Sequence, residues 1–370
     1  MIPLRIAEST MRYDRMLLAM MLGWVLMQPG ALATAQRCEC HLDQSHVELV
    51  RERMRLGVYD SGSITRPTEF MVVQVKWHVL TDTSGNASID ATTLDDYLVR
   101  LSQAFAPAGI EFCADPEIDF ISDNTLFANV QNTYELRTLN STEDAIDVYW
   151  CPSVQGGGLC GSSSYTFSPV QGVVMQTSCQ GAKDVSGVLI HEIGHYFDLF
   201  HTHELNWGFD CPNGTLCSEV GDLVCDTAPS RNMLFETCVD PTDCSLRTDE
   251  SSCIEGYPEP LCDGSPFLES ETRNFMSYSP VHCLLEFTPG QYDRMNATYW
   301  NLRPELQAGE CSQVDRCPAD LTEDGLVNGG DIAVILTQWG TEDDQADLDG
   351  SGTVNGADLA VMLNSWGLCW

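Results

Sequence analysis

The sequence predicts an α/β (α+β) domain on a twisted mixed sheet, with a loop-rich, disulfide-bonded lower half. A small all-α calcium-loop module is expected at the C-terminus. Three observations carry this. Strand-like and helix-like patterns alternate from Phe70 to Phe197. From Thr202 to Cys283 periodicity fails, and cysteine, proline, glycine and aspartate dominate. The last fifty residues hold an internal repeat offset by twenty-seven.

Taken in order, Arg12 and Arg15 precede an apolar run from Met16 to Met27, and Ala31-Leu32-Ala33-Thr34-Ala35 offers small-residue cleavage sites. Residues 1–35 therefore read as an export signal, too short to span a membrane. The mature chain is expected outside the cell. Residues 36–67 are polar and charged and read as a pro-segment or an N-terminal arm. Phe70 to Leu80 is rich in β-branched and aromatic residues and predicts a strand, with His78 a strand-face or core residue. Leu94, Leu98, Leu101 and Phe105 have helical spacing, which predicts a helix over Thr92–Ala106 capped by Thr92 or Thr93. Strands follow at Ile110–Cys113, Ala145–Cys151 and Gly172–Gln176, while the Gly/Ser-rich stretch from Gly156 to Ser164 reads as loop. Helices are expected over Asp184–Phe197 and Pro289–Leu302, and residues 309–318 read as a linker. The boundaries expected are thus a domain over 68–308 and a module over 319–370.

A formal charge of −36 with only two lysines, Lys76 and Lys183, leaves nothing to neutralise phosphates. Nucleic acid and anionic membrane surfaces are excluded as partners on that ground. An acidic, solvated shell suits an exported protein. The 17 cysteines all follow the signal, and disulfides are their default use. Their odd number leaves at least one outside any intrachain pair.

The most informative stretch is His191-Glu192-Ile193-Gly194-His195, followed by His201. Histidines four apart on a helix share one face and can reach one ion, with Glu192 placed to reach a water on it. His201 can join them only if the helix ends and the chain turns back near residue 198. Three protein nitrogens and an open fourth position describe a catalytic zinc site.

This helix resembles the active-site helix of metzincin peptidases, which place glycine at the break where this chain has Asp198. Asp is among the few residues that tolerate the left-handed backbone needed there. The turn Asn274-Phe275-Met276-Ser277-Tyr278, then Cys283, then Phe287-Thr288-Pro289-Gly290-Gln291 resembles the pappalysin family, as does Gly221-Asp222-Leu223-Val224-Cys225-Asp226-Thr227. The resemblance covers roughly 68–305 and implies a metzincin-like fold. It implies zinc ligands His191, His195 and His201, Glu192 as general base, and Tyr278 as a hydrogen-bond donor to the reacting centre; a plain core tyrosine is the alternative for Tyr278. Met276 would support the zinc base by packing. Asp222 and Thr227 match structural-calcium positions, or form an ordinary Asx turn. The resemblance also implies the pairs Cys217–Cys244 and Cys238–Cys283, leaving Cys211, Cys225, Cys253 and Cys262 for further bridges. Cys38 resembles a latency cysteine that can block the zinc, though Cys38 and Cys40 are equally candidates for disulfides. His203 and His282 have no motif role and read as surface or loop residues. Ser279-Pro280-Val281-His282 holds no carboxylate, where family members often carry one, which implies an apolar or mixed preference just after the scissile bond.

In the C-terminal repeat, oxygen-bearing side chains stand at loop positions 1, 3, 5, 9 and 12: Asp320, Thr322, Asp324, Asn328 and Asp331, then Asp347, Asp349, Ser351, Asn355 and Asp358. Gly325 and Gly352 stand at position 6, and Leu326 and Thr353 at position 7 offer backbone carbonyls. Calcium accepts this spacing. The paired loops resemble dockerin type I repeats, which implies a cohesin-like partner or a purely stabilising role. Cys317 and Cys369 flank the module and could staple its ends.

The leading expectation is a secreted zinc-dependent endopeptidase acting on protein or peptide substrates. The rival is a non-catalytic extracellular binding or adhesive protein stabilised by zinc and calcium.

Overall fold

The computed structural model describes residues 44–60, 71–179, 181–230, 238–256, 262–308, 319–322, 326–343 and 345–368. The expected signal, Cys38, Cys40, the linker, Cys317, Asp324, Gly325 and Cys369 lie outside them.

Six strands form one sheet: β1 (Met71–Thr81), β2 (Ile110–Ala114), β3 (Asp119–Ser122), β4 (Ile146–Cys151), β5 (Gly161–Ser163) and β6 (Val173–Gln176). The order is β2-β1-β4-β6-β5, and β3 pairs the second half of β1. All pairings are parallel except β5 with β6. The sheet is covered on both faces, as parallel sheets require. Val73, Val75, Trp77, Val148, Trp150, Val173 and Met175 enter the main core, while the alternate positions Leu80, Tyr149, Cys151 and Val174 enter a second cluster. Period-two alternation thus decides which core each side chain joins.

Helix α2 (Ala91–Phe105) buries Leu94, Tyr97, Leu101 and Phe105. Its cap is Asp90, which accepts from the Thr93 N–H and hydroxyl, rather than Thr92 or Thr93. The carboxylate is the stronger acceptor and draws the threonine in as a donor. Helix α3 (Ser186–Tyr196) packs into the same core through Val188, Leu189 and Ile193, and helix α4 (Pro289–Leu302) through Met295 and Tyr299.

Three elements depart from expectation. Gly161–Ser163, read as loop, is the antiparallel edge strand β5. Glycine and serine have poor strand propensity, so pairing with β6 makes this strand. β3 has no sequence signal beyond four residues. Helix α1 (Gln44–Arg55) lies within the polar arm and buries only Val47 and Val50 of its first two turns. His78 is a core residue as expected, with its nitrogens 2.7 Å from Asp119 and 2.8 Å from Asp147.

The C-terminal module folds on its repeat. Helices α5 (Gly329–Thr337) and α6 (Gly356–Asn364) follow the two loops, and Leu326–Val327 pairs with Gly367–Leu368. Its core is Ala319, Val327 and Ile335 with Ala346, Val354 and Met362, each pair offset by the same twenty-seven residues.

Candidate metal centre

Helix α3 is buried along its whole length, and its pitch stacks His191 on His195. The helix then stops in a Schellman turn. The Leu199 N–H reaches the Gly194 carbonyl at 3.0 Å and the Asp198 N–H that of His195 at 2.9 Å. Asp198 takes φ +58°, the left-handed conformation expected at this position. That conformation costs a non-glycine residue about 1–2 kcal/mol. The cost is offset by the Asp198 carboxylate, which accepts from the Thr166 N–H at 2.9 Å, the Tyr59 hydroxyl at 2.9 Å and Arg53 at 3.2 Å.

The reversal brings His201 back to the helix. The Nε2 atoms of His191 and His201 each lie 3.1 Å from Nε2 of His195. Nδ1 of His191 donates to the Phe275 carbonyl at 2.6 Å, and Nδ1 of His195 to that of Leu199 at 2.7 Å. These tautomers leave Nε2 lone pairs facing each other in a buried site, a repulsive arrangement unless a cation sits among them. Two nitrogens on one tetrahedral zinc at ~2.0–2.1 Å stand roughly 3.3 Å apart, so the set fits that ion. Burial holds the His191 imidazole down to about 4, and those of His195 and His201 well below the ordinary value. All three imidazoles are therefore in the neutral form that a metal ion requires.

Glu192 lies beside this cluster. Burial raises its carboxyl to about 8, with Arg137 pulling the other way. A Cβ on Gly161 would fall 2.6 Å from Oε1 of Glu192, so only glycine on strand β5 leaves room for the carboxylate. The glycine that hid the strand from view is needed by the site.

The methionine turn sits directly under α3. Met276 is fully buried, and its carbonyl accepts from the Thr202 N–H at 3.2 Å. The three family-like motifs lock together here. Asn274 and Gln291 exchange amide hydrogen bonds of 2.8 and 3.1 Å. Asp226 accepts from the Thr288 hydroxyl and the Gly290 N–H, both at 2.7 Å. Thr288 and Gln291 form the capping box of α4.

Tyr278 stands at the mouth, its ring centroid 4.6 Å from that of His201 and 4.5 Å from that of His203. His203, read as a surface or loop residue, does lie in a turn but is buried there, stacked 5.0 Å from His201. The turn that delivers His201 folds the next two residues inward, since the Glu204 N–H closes on the His201 carbonyl at 2.9 Å. Glu204 was not foreseen; it is buried with an oxygen 4.0 Å from His201 Nδ1, and burial raises its carboxyl. His282 is exposed, as expected of a surface residue, on a single 3-10 turn over Val281–Cys283, donating to the Pro241 carbonyl at 2.8 Å.

Asp222 and Thr227 are brought together, the Thr227 hydroxyl donating to Asp222 Oδ1 at 2.9 Å. Oδ2 of Asp222 and Oδ1 of Asp210 are buried without a hydrogen-bond partner. Burial raises Asp222 to about 7 and Asp210 to about 6. In the C-terminal module, carboxylate oxygens of Asp347, Asp349 and Asp358 lie within 4.8 Å of one another. Asp331 is wholly buried and accepts from the Thr322 N–H at 3.0 Å and the Asn328 N–H at 2.7 Å.

The disulfide pairings differ from expectation. Cys217 bonds Cys225, Cys238 bonds Cys253 and Cys244 bonds Cys283, so Cys217–Cys244 and Cys238–Cys283 do not form. The bridge between Val239 and Leu246 folds residues 238–246 back on themselves, and its register turns Cys244, not Cys238, toward Cys283. Cys217 and Cys225 close their own short loop around Gly221, at a Cα separation of 5.0 Å. Cys160–Cys179 and Cys211–Cys262 are further bridges, and Cys151 is a free, buried thiol.

The family model Peptidase_M43, described as pregnancy-associated plasma protein-A, matches residues 123–299. An extracellular metalloprotease of Pyricularia oryzae is 24% identical over 295 residues, covering 74% of this chain and 93% of that protein. One from Colletotrichum graminicola is 27% identical over 255 residues, covering 65% and 80%. Pappalysin-1 of Mus musculus is 29% identical over 173 residues, covering 45% of this chain and 9% of its own. Among solved structures, Tannerella forsythia promirolysin has 18% identity and a TM-score of 0.48, covering 71% of this chain and 91% of its own. The family match spans the histidine cluster, the methionine turn and the Asp226–Thr288 contact alike, and residues 123–299 accordingly form a pappalysin-like Peptidase_M43 metalloprotease domain.

Proposed function

We propose that the protein is a secreted zinc endopeptidase that cuts protein or peptide substrates, with Glu192 as its general base. The observation that carries this is the convergence of three neutral imidazole nitrogens beside a buried carboxylate and a sheet edge. His191, His195 and His201 would hold zinc, which supplies Lewis acidity and lowers the pKa of water to about 7. In its ionised form Glu192 accepts a proton from the attacking water and delivers it to the leaving amine. The Tyr278 hydroxyl donates to the substrate carbonyl oxygen as it gains charge. Strand β5 ends the sheet among the described residues, so an extended peptide can add to it by main-chain hydrogen bonds.

A cavity of about 610 Å³ lies beside the start of α3, with Pro280, Val281 and Leu284 in its wall and Arg100, Lys183 and Asp184 also lining it. This supports an apolar or mixed preference just after the scissile bond. A peptide-library digest cut only before Arg or Lys would refute that preference.

The relatives' extracellular naming favours secretion, with residues 1–35 as signal. No described helix is long and apolar enough to cross a membrane. On this reading the protease domain runs over 68–308, and the module at 319–370 takes calcium in both loops, with a further calcium at Asp222 and Thr227. Leu336, Trp339, Leu363 and Trp366 are exposed at matching repeat positions, which suits docking to a cohesin-like partner.

Casein hydrolysis tests the central reading. It should be abolished by a chelator, restored by zinc, and lost in Glu192→Ala with zinc still bound. A folded, zinc-loaded wild type that leaves casein intact would favour the non-catalytic binding protein instead.

A further inference from the structure

Helix α1 belongs to the stretch that the sequence offers as either a removable pro-segment or a permanent arm. We propose that residues 44–60 are a permanent strap of the mature protease, whose Arg53 and Tyr59 hold Asp198 and so position the turn that carries His201.

Asp198 is wholly buried, and its carboxylate lies 3.2 Å from Arg53 in a salt bridge. Arg53 also donates to the Thr166 hydroxyl at 2.6 Å, and Thr166 in turn donates to Asp198. A glycine at the break would need none of this. The aspartate has a carboxylate to satisfy, and the arm brings both the cation and the Tyr59 hydroxyl. Losing the arm would leave a buried anion stripped of its bonded cation.

The remaining contacts point the same way. Val47, Val50 and Tyr59 share a buried cluster with Tyr165, Phe200, Trp207 and Leu223. Arg51 donates to the Trp207 carbonyl at 3.0 Å, and Asn301 donates to that of Val58 at 2.8 Å. Tyr165, against which this cluster packs, has its hydroxyl 3.2 Å from Nδ1 of His195. The arm therefore supports the second zinc ligand through Tyr165 and the third through Asp198.

This rests on the zinc reading, and the test separates the two. Intact mass and N-terminal sequencing of the active secreted protein should find residues 44–60 present, with any activating cut upstream of Gln44 or the cut arm copurifying. An active form wholly lacking them overturns the proposal. Arg53→Ala and Tyr59→Phe should speed zinc loss to a chelator about tenfold, and lower kcat with KM unchanged. Arg53→Lys should recover most of the loss. If the variants melt earlier yet lose zinc at the wild-type rate, the strap is merely structural and positioning is refuted. Failure of wild type to bind zinc would sink the zinc reading instead, while arm retention is read without metal.

Discussion

A Cβ on Gly194 would lie 2.6 Å from Sδ of Met276, so the metal helix meets the methionine turn at a distance only glycine allows. Met276 is fully buried. Gly194→Ala should cost about 1–3 kcal/mol by overpacking, and it should push the helix off the turn, weakening zinc. Thermal unfolding and zinc competition measure both, and an unchanged melting temperature would contradict this contact.

The Asn274–Gln291 pair ties the methionine turn to α4. Gln291→Ala leaves the buried Asn274 amide and the Thr288 N–H short of a partner, at about 1–3 kcal/mol. Combining it with Asn274→Ala should cost clearly less than the sum of the single losses. Additive losses in urea unfolding would show that the pair is not coupled.

Stability should depend on pH through Asp222. Its folded pKa is raised by burial to about 7 from the ordinary aspartate value of 3.8. Between those values the unfolded chain has shed the proton that the folded chain keeps. Stability of the calcium-depleted protein should therefore fall as pH rises from about 4 to 7, by at most about 1.4 kcal/mol per pH unit. Asp222→Asn should flatten that slope. Added calcium should stabilise most at the alkaline end, where the carboxylate is ionised. A wild-type slope of opposite sign would remove Asp222 as its source.

The two C-terminal loops should titrate separately. Asp331→Ala and Asp358→Ala each delete a buried position-12 carboxylate and should each remove one calcium-binding step. At calcium a hundredfold above Kd, each site contributes about 2.7 kcal/mol to the module. Calorimetric calcium titration of the full chain checks this; a variant that keeps as many binding steps as the wild type would exclude that loop.

The histidine cluster was legible because helical pitch alone stacks residues 191 and 195, and the break at 198 follows from the need to return His201. Strands β1, β2, β4 and β6 were legible because β-branched runs have few other uses. The C-terminal repeat announced its own core, since equivalent positions must be filled twice. The edge strand β5 was hidden by Gly161, whose missing side chain serves Glu192 rather than the sheet.

What the sequence by itself determined is the chemistry: which residues can bind metal, and in which order along the chain. Only the tertiary structure decided which cysteine faces Cys283, that His203 and Glu204 turn inward, and that the polar arm closes on Asp198. Those outcomes depend on hairpin register and on contacts between residues more than a hundred positions apart. No local spacing encodes them, because a buried carboxylate takes its partner from whichever segment the fold brings near.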